Sequence, residues 1–349
     1  MKQKFLLFFL SILLSLSILA CSHISGEQAT IENTNSEEII TVVDQLNRSI
    51  TLEKKPERIV SGYYISTSAL IALGLEDKLV GIEAKAETRP IYSLAAPELL
   101  SLPNVGTAKE FDLEGCVSLK PDLVILPIRL KEQIGILEDL GVTVIGVNPE
   151  NQILLEEMIN LIGKITGTED KAKELLQYYE EREKELKAIH SGVEEKPRVY
   201  LAGNSNLLST ATKNMYQNDL IESAGGINVA GHIDDTYWAT ISYEQLIQYN
   251  PDYIIIVPEA KYSIDTVLND KNISQVTAIL KGNVYQMPKN FEAWDSPVPS
   301  GILGKIWLTS ILYQENYPYA KFVDEVTNFY GKFYGFEVDK EVLIANAQQ

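Results

Sequence analysis

The chain has 349 residues, 45% of them hydrophobic and 22% charged, which is enough material for about two globular domains. Its formal net charge of -18 at pH 7 disfavours nucleic acid and the surface of an anionic bilayer as partners. With only two cysteines, Cys21 and Cys116, the chain cannot build a disulfide framework or a cysteine-based zinc site.

Residues 1–20 have the form of a bacterial signal peptide. A lysine-containing start precedes a Leu-rich apolar run, which is shorter than a membrane-spanning helix requires. The run ends in Ile-Leu-Ala-Cys, which looks like a lipobox and predicts a mature chain that begins with an acylated Cys21. A signal anchor with an incidental cysteine is the alternative. Residues 21–38 are polar and predict a flexible tether.

Residues 39–163 alternate apolar runs with amphipathic segments, which is typical of an α/β lobe with a mostly parallel sheet. Strands are predicted at 39–43, 49–52, 58–61, 78–83, 123–126 and 142–147. Helices are predicted at 67–73, 91–100, 113–119, 130–140 and 153–165.

Residues 164–192 predict a connector that is one long helix. No Gly or Pro interrupts residues 168–190, and Thr168 is the predicted N-cap residue, followed by two acids. Glu180 with Lys184 and Glu183 with Lys187 have the spacing of surface ion pairs along a helix. We therefore expect a rigid spacer between two domains.

Residues 193–349 predict a second α/β lobe that repeats a feature of the first. Glu114 and Glu244 each lead a short amphipathic helix, and a Pro-Asp pair and an apolar strand follow each helix at the same distance. Further helices are predicted at 215–224, 302–313 and 318–330, with strands at 198–202, 253–257 and 283–287.

Candidate binding residues follow the predicted strands, because ligands of open α/β sheets bind beyond the carboxyl ends of the strands. These segments combine aromatic side chains with charges of both signs, which suits a large planar or lipophilic ligand. The predicted cleft residues are Tyr63, Tyr64, Arg89, Phe111, Arg129, Asn204, Trp238, Glu259 and Trp294.

Residues for catalysis or for direct metal binding are scarce. There is no Gly-x-Ser-x-Gly elbow, Gly-rich phosphate loop or His-Glu-x-x-His motif. Of the three histidines, only His232 lies near a predicted cleft segment, and no second histidine or cysteine is placed to complete a metal site. We expect a protein that is not an enzyme and has no intrinsic cofactor.

Six features together resemble the substrate-binding lipoproteins of ABC importers, in the branch that handles iron–siderophore complexes, haem and cobalamin. They are the lipobox, ERIVS, FDLEGCVSLKPDLVILP, the connector helix, YWATISYEQLIQYNPDYIIIV and FEAWDSPVPSGILGKIWLTSILY. The resemblance implies two Rossmann-like α/β lobes joined by one long helix, with a ligand cleft between the lobes. It also implies a monomer whose Glu114 and Glu244 dock on the two permease subunits.

The ligand class follows less directly from these residues. Trp238 matches a position that lines the cleft of cobalamin binders, but the first-lobe positions where those proteins carry Trp offer Phe111 and Arg129 here. Arg89 and Arg129 suit an anionic ferric chelate, since arginine forms paired hydrogen bonds with carboxylates and catecholates. We therefore expect an iron–siderophore receptor. A corrinoid or haem receptor, a metal-dependent enzyme on the same scaffold, and an adhesin or sensor are the alternatives.

Overall fold

The computed structural model describes residues 39–347, which belong to one compact unit. The predicted signal peptide, Cys21 and the predicted tether lie outside the described residues. None of the helices within 39–347 has both the length and the apolar character needed to span a bilayer.

The first lobe is built on a parallel four-stranded sheet with the strand order β4-β3-β5-β6. Its strands are β3 (Ile59–Ser61), β4 (Leu79–Gly81), β5 (Leu123–Pro127) and β6 (Val144–Val147), preceded by the hairpin β1 (Ile40–Val43) and β2 (Ser49–Leu52). Its helices are α1 (Tyr64–Ala72), α2 (Pro90–Ala95), α3 (Leu113–Ser118), α4 (Lys131–Asp139) and α5 (Gln152–Thr166). Every residue of β5 and β6 is buried, as a strand covered on both faces requires.

The single helix predicted at 91–100 is two separate pieces. Helix α2 ends at Ala95, and a 3₁₀ helix follows from Pro97 to Ser101. Ala96 between them has φ -150° and ψ 63°, because the ring of Pro97 disfavours the helical conformation of the residue before it.

The second lobe has a mixed sheet with the strand order β10-β8-β7-β11-β12, and β9 pairs with the start of β7. Its strands are β7 (Arg198–Ala202), β8 (Ser209–Ala211), β9 (Ile227–Asn228), β10 (Trp238–Thr240), β11 (Tyr253–Ile256) and β12 (Val284–Gln286). Strands β7, β11 and β12 pair in parallel, whereas β8 pairs antiparallel with both β7 and β10. Strands β8 and β10 were not among the predicted strands.

Seven helices of the described chain follow the connecting helix. They are α7 (Tyr216–Ser223), α8 (Tyr243–Tyr249), α9 (Ile264–Leu268), α10 (Thr277–Lys281), α11 (Ile302–Leu312), α12 (Tyr319–Phe333) and α13 (Lys340–Ala347). All residues of α11 are buried, so this helix forms the centre of the second lobe's core.

The connecting helix α6 (Glu169–His190) has almost the predicted bounds, and it buries Ala172, Leu175, Tyr179 and Leu186. Thr168 occupies the N-cap position but makes no capping hydrogen bond with its side chain; its hydroxyl lies 2.9 Å from that of Thr166 instead. Helices α6 and α5 approach each other closely at Gly163. A Cβ added to Gly163 would lie only 2.6 Å from the Cβ of Ala172, so the close approach requires glycine.

The ion pairs of α6 are different from those predicted. Glu183 does not pair with Lys187 but accepts a hydrogen bond from Lys305 of α11 at 2.6 Å, and Lys305 is only 1% exposed. A buried ammonium needs a carboxylate more than an exposed lysine does, so the long-range pair prevails. Within residues 39–347, no ion pair within 4.0 Å joins Glu180 to Lys184.

Helix α12 holds the opposite side of α6 by three further ion pairs. Arg182 and Glu325 are 2.6 Å apart, Glu174 and Lys332 are 2.9 Å apart, and Glu185 pairs with Lys321. The connecting helix is therefore fixed along its length to helices on both sides.

Candidate ligand cleft and paired acidic helices

A cleft lies between the lobes, beyond the carboxyl ends of β3 and β7. Its central part has a volume of about 400 Å³ and takes its lining from both lobes. Lys85, Arg89, Thr88 and Tyr64 line it from the first lobe, and Asn204, Gln217, Trp238, Val257, Glu259, Ala293, Asp295 and Ser296 line it from the second. Two neighbouring cavities share Tyr64 and Arg89 with this central part, so these two side chains stand where the cavities meet.

The guanidinium group of Arg89 lies over an aromatic ring at this meeting point. Its guanidinium carbon is 4.0 Å from the centre of the Tyr64 ring, and its Nε is 3.3 Å from Oε1 of Glu83. Glu83 is already held by Thr67 and Tyr92, which donate hydrogen bonds at 2.7 and 2.6 Å. Among residues 39–347 no acceptor is aligned to take a hydrogen bond from this buried Nε, while the side chain as a whole is 28% exposed and lines the cleft.

A second arginine extends the same wall. The guanidinium carbon of Arg129 is 5.1 Å from the centre of the Tyr63 ring, and Tyr63 packs edge-on against Tyr64 with the ring centres 5.3 Å apart. Burial raises the pKa of Tyr63 well above its usual range, and burial also raises the pKa of Tyr64. Both phenols are therefore neutral hydrogen-bonding groups at physiological pH.

The second-lobe wall is set by one close approach. The Trp238 ring covers Gly203, where an added Cβ would come within 2.8 Å of the ring. Glycine at this position therefore lets the indole lie against the backbone at the end of β7. Trp238 itself begins β10 and is 40% exposed, which leaves a face of the ring open to the cleft.

Two acids complete the second-lobe wall. Asp295 is only 7% exposed, and its one side-chain partner among the described residues is the amide of Gln217, which donates at 3.4 Å. Burial, with a smaller contribution from the charge of Glu259, raises the pKa of Asp295 to about 6. Lys85 and Gln217 also line the cleft, although they were not among the predicted cleft residues.

The prediction that Trp294 lines the cleft is wrong. The residue is fully buried, its ring stacks on Phe291, and its indole N–H donates to the hydroxyl of Tyr330 at 2.9 Å. Since a buried indole needs a hydrogen-bond acceptor, the side chain turns into the second-lobe core while its neighbours Ala293 and Asp295 face the cleft.

Phe111 and His232 contact neighbouring residues and are not in the lining of the cleft or of the adjoining cavities. Phe111 is half-buried behind Gly62, where an added Cβ would lie 3.2 Å from its ring. Nε2 of His232 lies 3.3 Å from the hydroxyl of Tyr249, and the two rings meet edge to face. The remaining predicted cleft residues line the cleft or the adjoining cavities: Tyr63, Tyr64, Arg89, Arg129, Asn204, Trp238 and Glu259.

Beneath the cleft, one buried carboxylate joins the two lobes. We call it the Glu292 cluster, formed by Glu292, Ser68, Ser300 and Tyr334. Ser68 of α1 donates to Oε1 of Glu292 at 2.5 Å, while Ser300 and Tyr334 donate to Oε2. Burial raises the pKa of Glu292, and the three hydroxyl groups oppose that rise. The cluster fixes the segment around residue 292, which carries cleft residues, to the first lobe.

Helices α3 and α8, which we call the paired acidic helices, are built alike. The side chains of Asp112 and Ser242 cap them by accepting hydrogen bonds from the backbone three residues further on, at 2.9 and 3.2 Å. Glu114 and Glu244 stand in the first turns, and both are exposed. A backbone hydrogen bond and the Ser242 hydroxyl lower the pKa of Glu244, so this carboxylate is charged at neutral pH.

The same pair of side chains anchors each of these helices to its sheet. Arg58 donates to the carbonyl of Leu119 just after α3 at 2.6 Å, and Arg198 donates to the last carbonyl of α8 at 2.9 Å. Asp122 and Asp252 in turn accept hydrogen bonds from the backbone amides of these arginines, at 3.1 and 3.0 Å. The repeat seen in the sequence is thus a repeat of structure.

The sequence of this chain is similar to those of known binding proteins. The model of the periplasmic binding protein family matches residues 59–291, well over half of the chain. The molybdate-binding protein MolA of Haemophilus influenzae is 25% identical over 84% of this chain and 90% of its own length. The petrobactin-binding protein YclQ of Bacillus subtilis is 25% identical over 81% of this chain and 90% of its own.

The fold is also similar to that of a solved binding protein. A periplasmic solute binding protein from Veillonella parvula superimposes with a TM-score of 0.78 at 24% identity, covering 88% of this chain and 96% of the other. This likeness shows that the two proteins share their overall fold. The chain therefore belongs to the periplasmic binding protein family of extracytoplasmic substrate-binding proteins.

Proposed function

We propose that this protein captures a ferric chelate of the siderophore type and delivers it to the permease of an ABC importer. The observation that carries the proposal is the pair of arginines on the first-lobe wall, each lying on a tyrosine ring. Guanidinium groups form paired hydrogen bonds with the carboxylate and catecholate oxygens of an anionic chelate, and the rings offer apolar area to its planar parts.

The metal enters this proposal as part of the ligand. Within residues 39–347, no group of three or more His, Cys, Asp or Glu side chains gathers to hold a metal ion. The raised pKa values of Tyr63 and Tyr64 also oppose the phenolate form that a direct iron–tyrosine bond uses. We therefore expect the chelator to supply the iron ligands and the protein to recognise the outer surface of the complex.

A panel of ligands tests the proposal by quenching of tryptophan fluorescence. Trp294 and Trp307 are 0% and 2% exposed, so Trp238 is the tryptophan placed to report on the cleft. Ferric catecholates and ferric hydroxamates are compared with haem, cobalamin, cobinamide and molybdate, and Trp238→Phe should remove most of the quenching. Binding of a corrinoid, haem or molybdate, with no response to any ferric chelate, would overturn the ligand assignment.

Two substitutions at Arg89 separate charge from shape. Arg89→Met should weaken binding of the ferric chelate about 10- to 100-fold, the value of one or two charge-assisted hydrogen bonds. Arg89→Lys retains the charge but loses the planar fork, so we expect an intermediate loss. Lys281→Met is the control, since Lys281 is exposed at the end of α10 and lies outside the cleft lining.

Delivery is assigned to the paired acidic helices. Glu114 and Glu244 are exposed at equivalent positions of two equivalent helices, which suits contact with two permease subunits. Single exposed ion pairs contribute little, but two held at a fixed separation set register. The double variant Glu114→Ala, Glu244→Ala should bind the ligand normally and fail in uptake by cells. Normal uptake would remove this assignment and favour an adhesin or sensor.

A further inference from the structure

Charges of opposite sign face each other across the central part of the cleft. Lys85 and Arg89, the first-lobe cations, line one wall, and Glu259 and Asp295, the second-lobe acids, line the other. Within residues 39–347, no lysine or arginine nitrogen lies within 4.0 Å of either acid, although cations line the same cavity. The separation of the two walls leaves these acids without a cationic partner.

Asp295 makes this lack of a partner costly. It is more than nine-tenths buried, and its carboxylate has two uncharged donors, its own backbone amide and the amide of Gln217 at the long distance of 3.4 Å. Removing a carboxylate from water is unfavourable unless a charge or several hydrogen-bond donors replace the water. A cation placed between Asp295 and Glu259 would supply that replacement, and the cleft is open to a ligand at this point.

We infer that the ligand of this cleft is bipolar, with an anionic chelate against the first-lobe cations and an ammonium or guanidinium arm against the second-lobe acids. The inference rests on the proposed function and narrows its substrate class. A purely anionic chelate would meet attraction on one wall and repulsion on the other. A chelate with a cationic arm would meet attraction on both walls.

The charged surroundings of Asp295 give the inference a pH dependence. Besides Glu259 and the first-lobe cations, two titratable groups interact electrostatically with Asp295. They are Tyr64 and Tyr216, and burial raises the pKa of both. Both tyrosines are therefore neutral from pH 5 to 8. In that range the advantage of a cationic arm should fall as the pH drops through about 6 and Asp295 gains a proton.

The test uses a matched pair of probes. One is a ferric tris-catecholate on a tripodal amide scaffold with one free aminopropyl arm, and the other is the same chelate with that arm acetylated. Titration calorimetry at pH 7.5 compares the wild type with the double variant Glu259→Gln, Asp295→Asn. The double variant Asp139→Asn, Glu222→Gln is the control, because it changes net charge equally at exposed acids outside the cleft lining.

We expect the wild type and the control to prefer the free amine by about tenfold, the effect of one ion pair in a partly buried site. The cleft variant should lose that preference. An equal preference in all three proteins, or none in the wild type, would overturn the bipolar ligand and leave the capture of ferric chelates standing. Failure of both probes to bind would overturn this inference for catecholates, and the proposed function would fall only if no ferric chelate of the wider panel bound.

Discussion

Replacing Ser68 by alanine tests whether the Glu292 cluster is an electrostatic link between the lobes. Ser68 is 1% exposed, donates to Oε1 of Glu292 at 2.5 Å, and has its oxygen 2.9 Å from the hydroxyl of Tyr334. Alanine leaves the buried carboxylate of Glu292 with one hydrogen-bond donor fewer. A hydrogen bond to a charged group contributes about 1.5–3 kcal/mol, so we expect a loss of about 2 kcal/mol in the free energy of unfolding.

The pH dependence of this loss follows from the pKa of Glu292. Because that pKa is raised in the folded state, the native protein holds a proton that the unfolded chain releases, and stability falls as the pH rises above about 4.5. The Ser68 hydrogen bond favours the charged form and so opposes the fall. Because the ionised fraction of Glu292 increases with pH, Ser68→Ala should lower the free energy of unfolding more at pH 8 than at pH 4.5.

Urea denaturation between pH 4.5 and 8 measures the effect, with Ser66→Ala as the matched control. Ser66 is equally buried, but its hydroxyl contacts only the Ser61 hydroxyl and the carbonyl of Tyr63, each at 2.7 Å. Its loss should cost about 1 kcal/mol at every pH. A Ser68→Ala variant that costs no more than Ser66→Ala, with the same value at both ends of the range, would refute the reasoning.

Three further predictions concern the cleft, the delivery surface and the anchor. Gly203→Ala should displace the Trp238 ring and weaken ligand binding about tenfold while leaving thermal stability within a few degrees; unchanged affinity in a fluorescence titration would place Trp238 outside the site. Arg58→Met should lower cellular uptake with ligand affinity unchanged, yet add nothing in a Glu114→Ala background; an additive loss would make Arg58 merely structural. Cys21→Ser should release the protein from the membrane fraction of cells, and retention there would support an uncleaved signal anchor.

Patterns that depend on near neighbours in the chain were predictable. The connecting helix was predicted at 168–190 and observed at Glu169–His190, because a run without Gly or Pro is determined locally. The apolar run of β5 and the equivalence of Glu114 with Glu244 were equally readable, since helix, Pro-Asp and strand recur at fixed spacing.

What the sequence could not reveal depends on partners distant in the chain. Glu183 has suitable lysines on its own helix, and only the fold brings Lys305 to it from 122 positions away. Trp294 follows the strand it was expected to follow, but it lies in a turn, and its indole N–H donates to Tyr330 in the core. The short strands β8 and β10 carry too few residues for a periodic pattern.

The bracing of helix α6 has a consequence for how cargo enters and leaves. The close contact of Gly163 with Ala172, the pair of Glu183 with the buried Lys305, and the ion pairs to α12 together hold the helix. Bending the helix would break ion pairs on several turns at once, so large hinge motions of the two lobes are disfavoured. We therefore expect a ligand to enter and leave with little change in the relative position of the two lobes. A cleft that stays open in this way can hold a ligand whose outer parts extend into solvent.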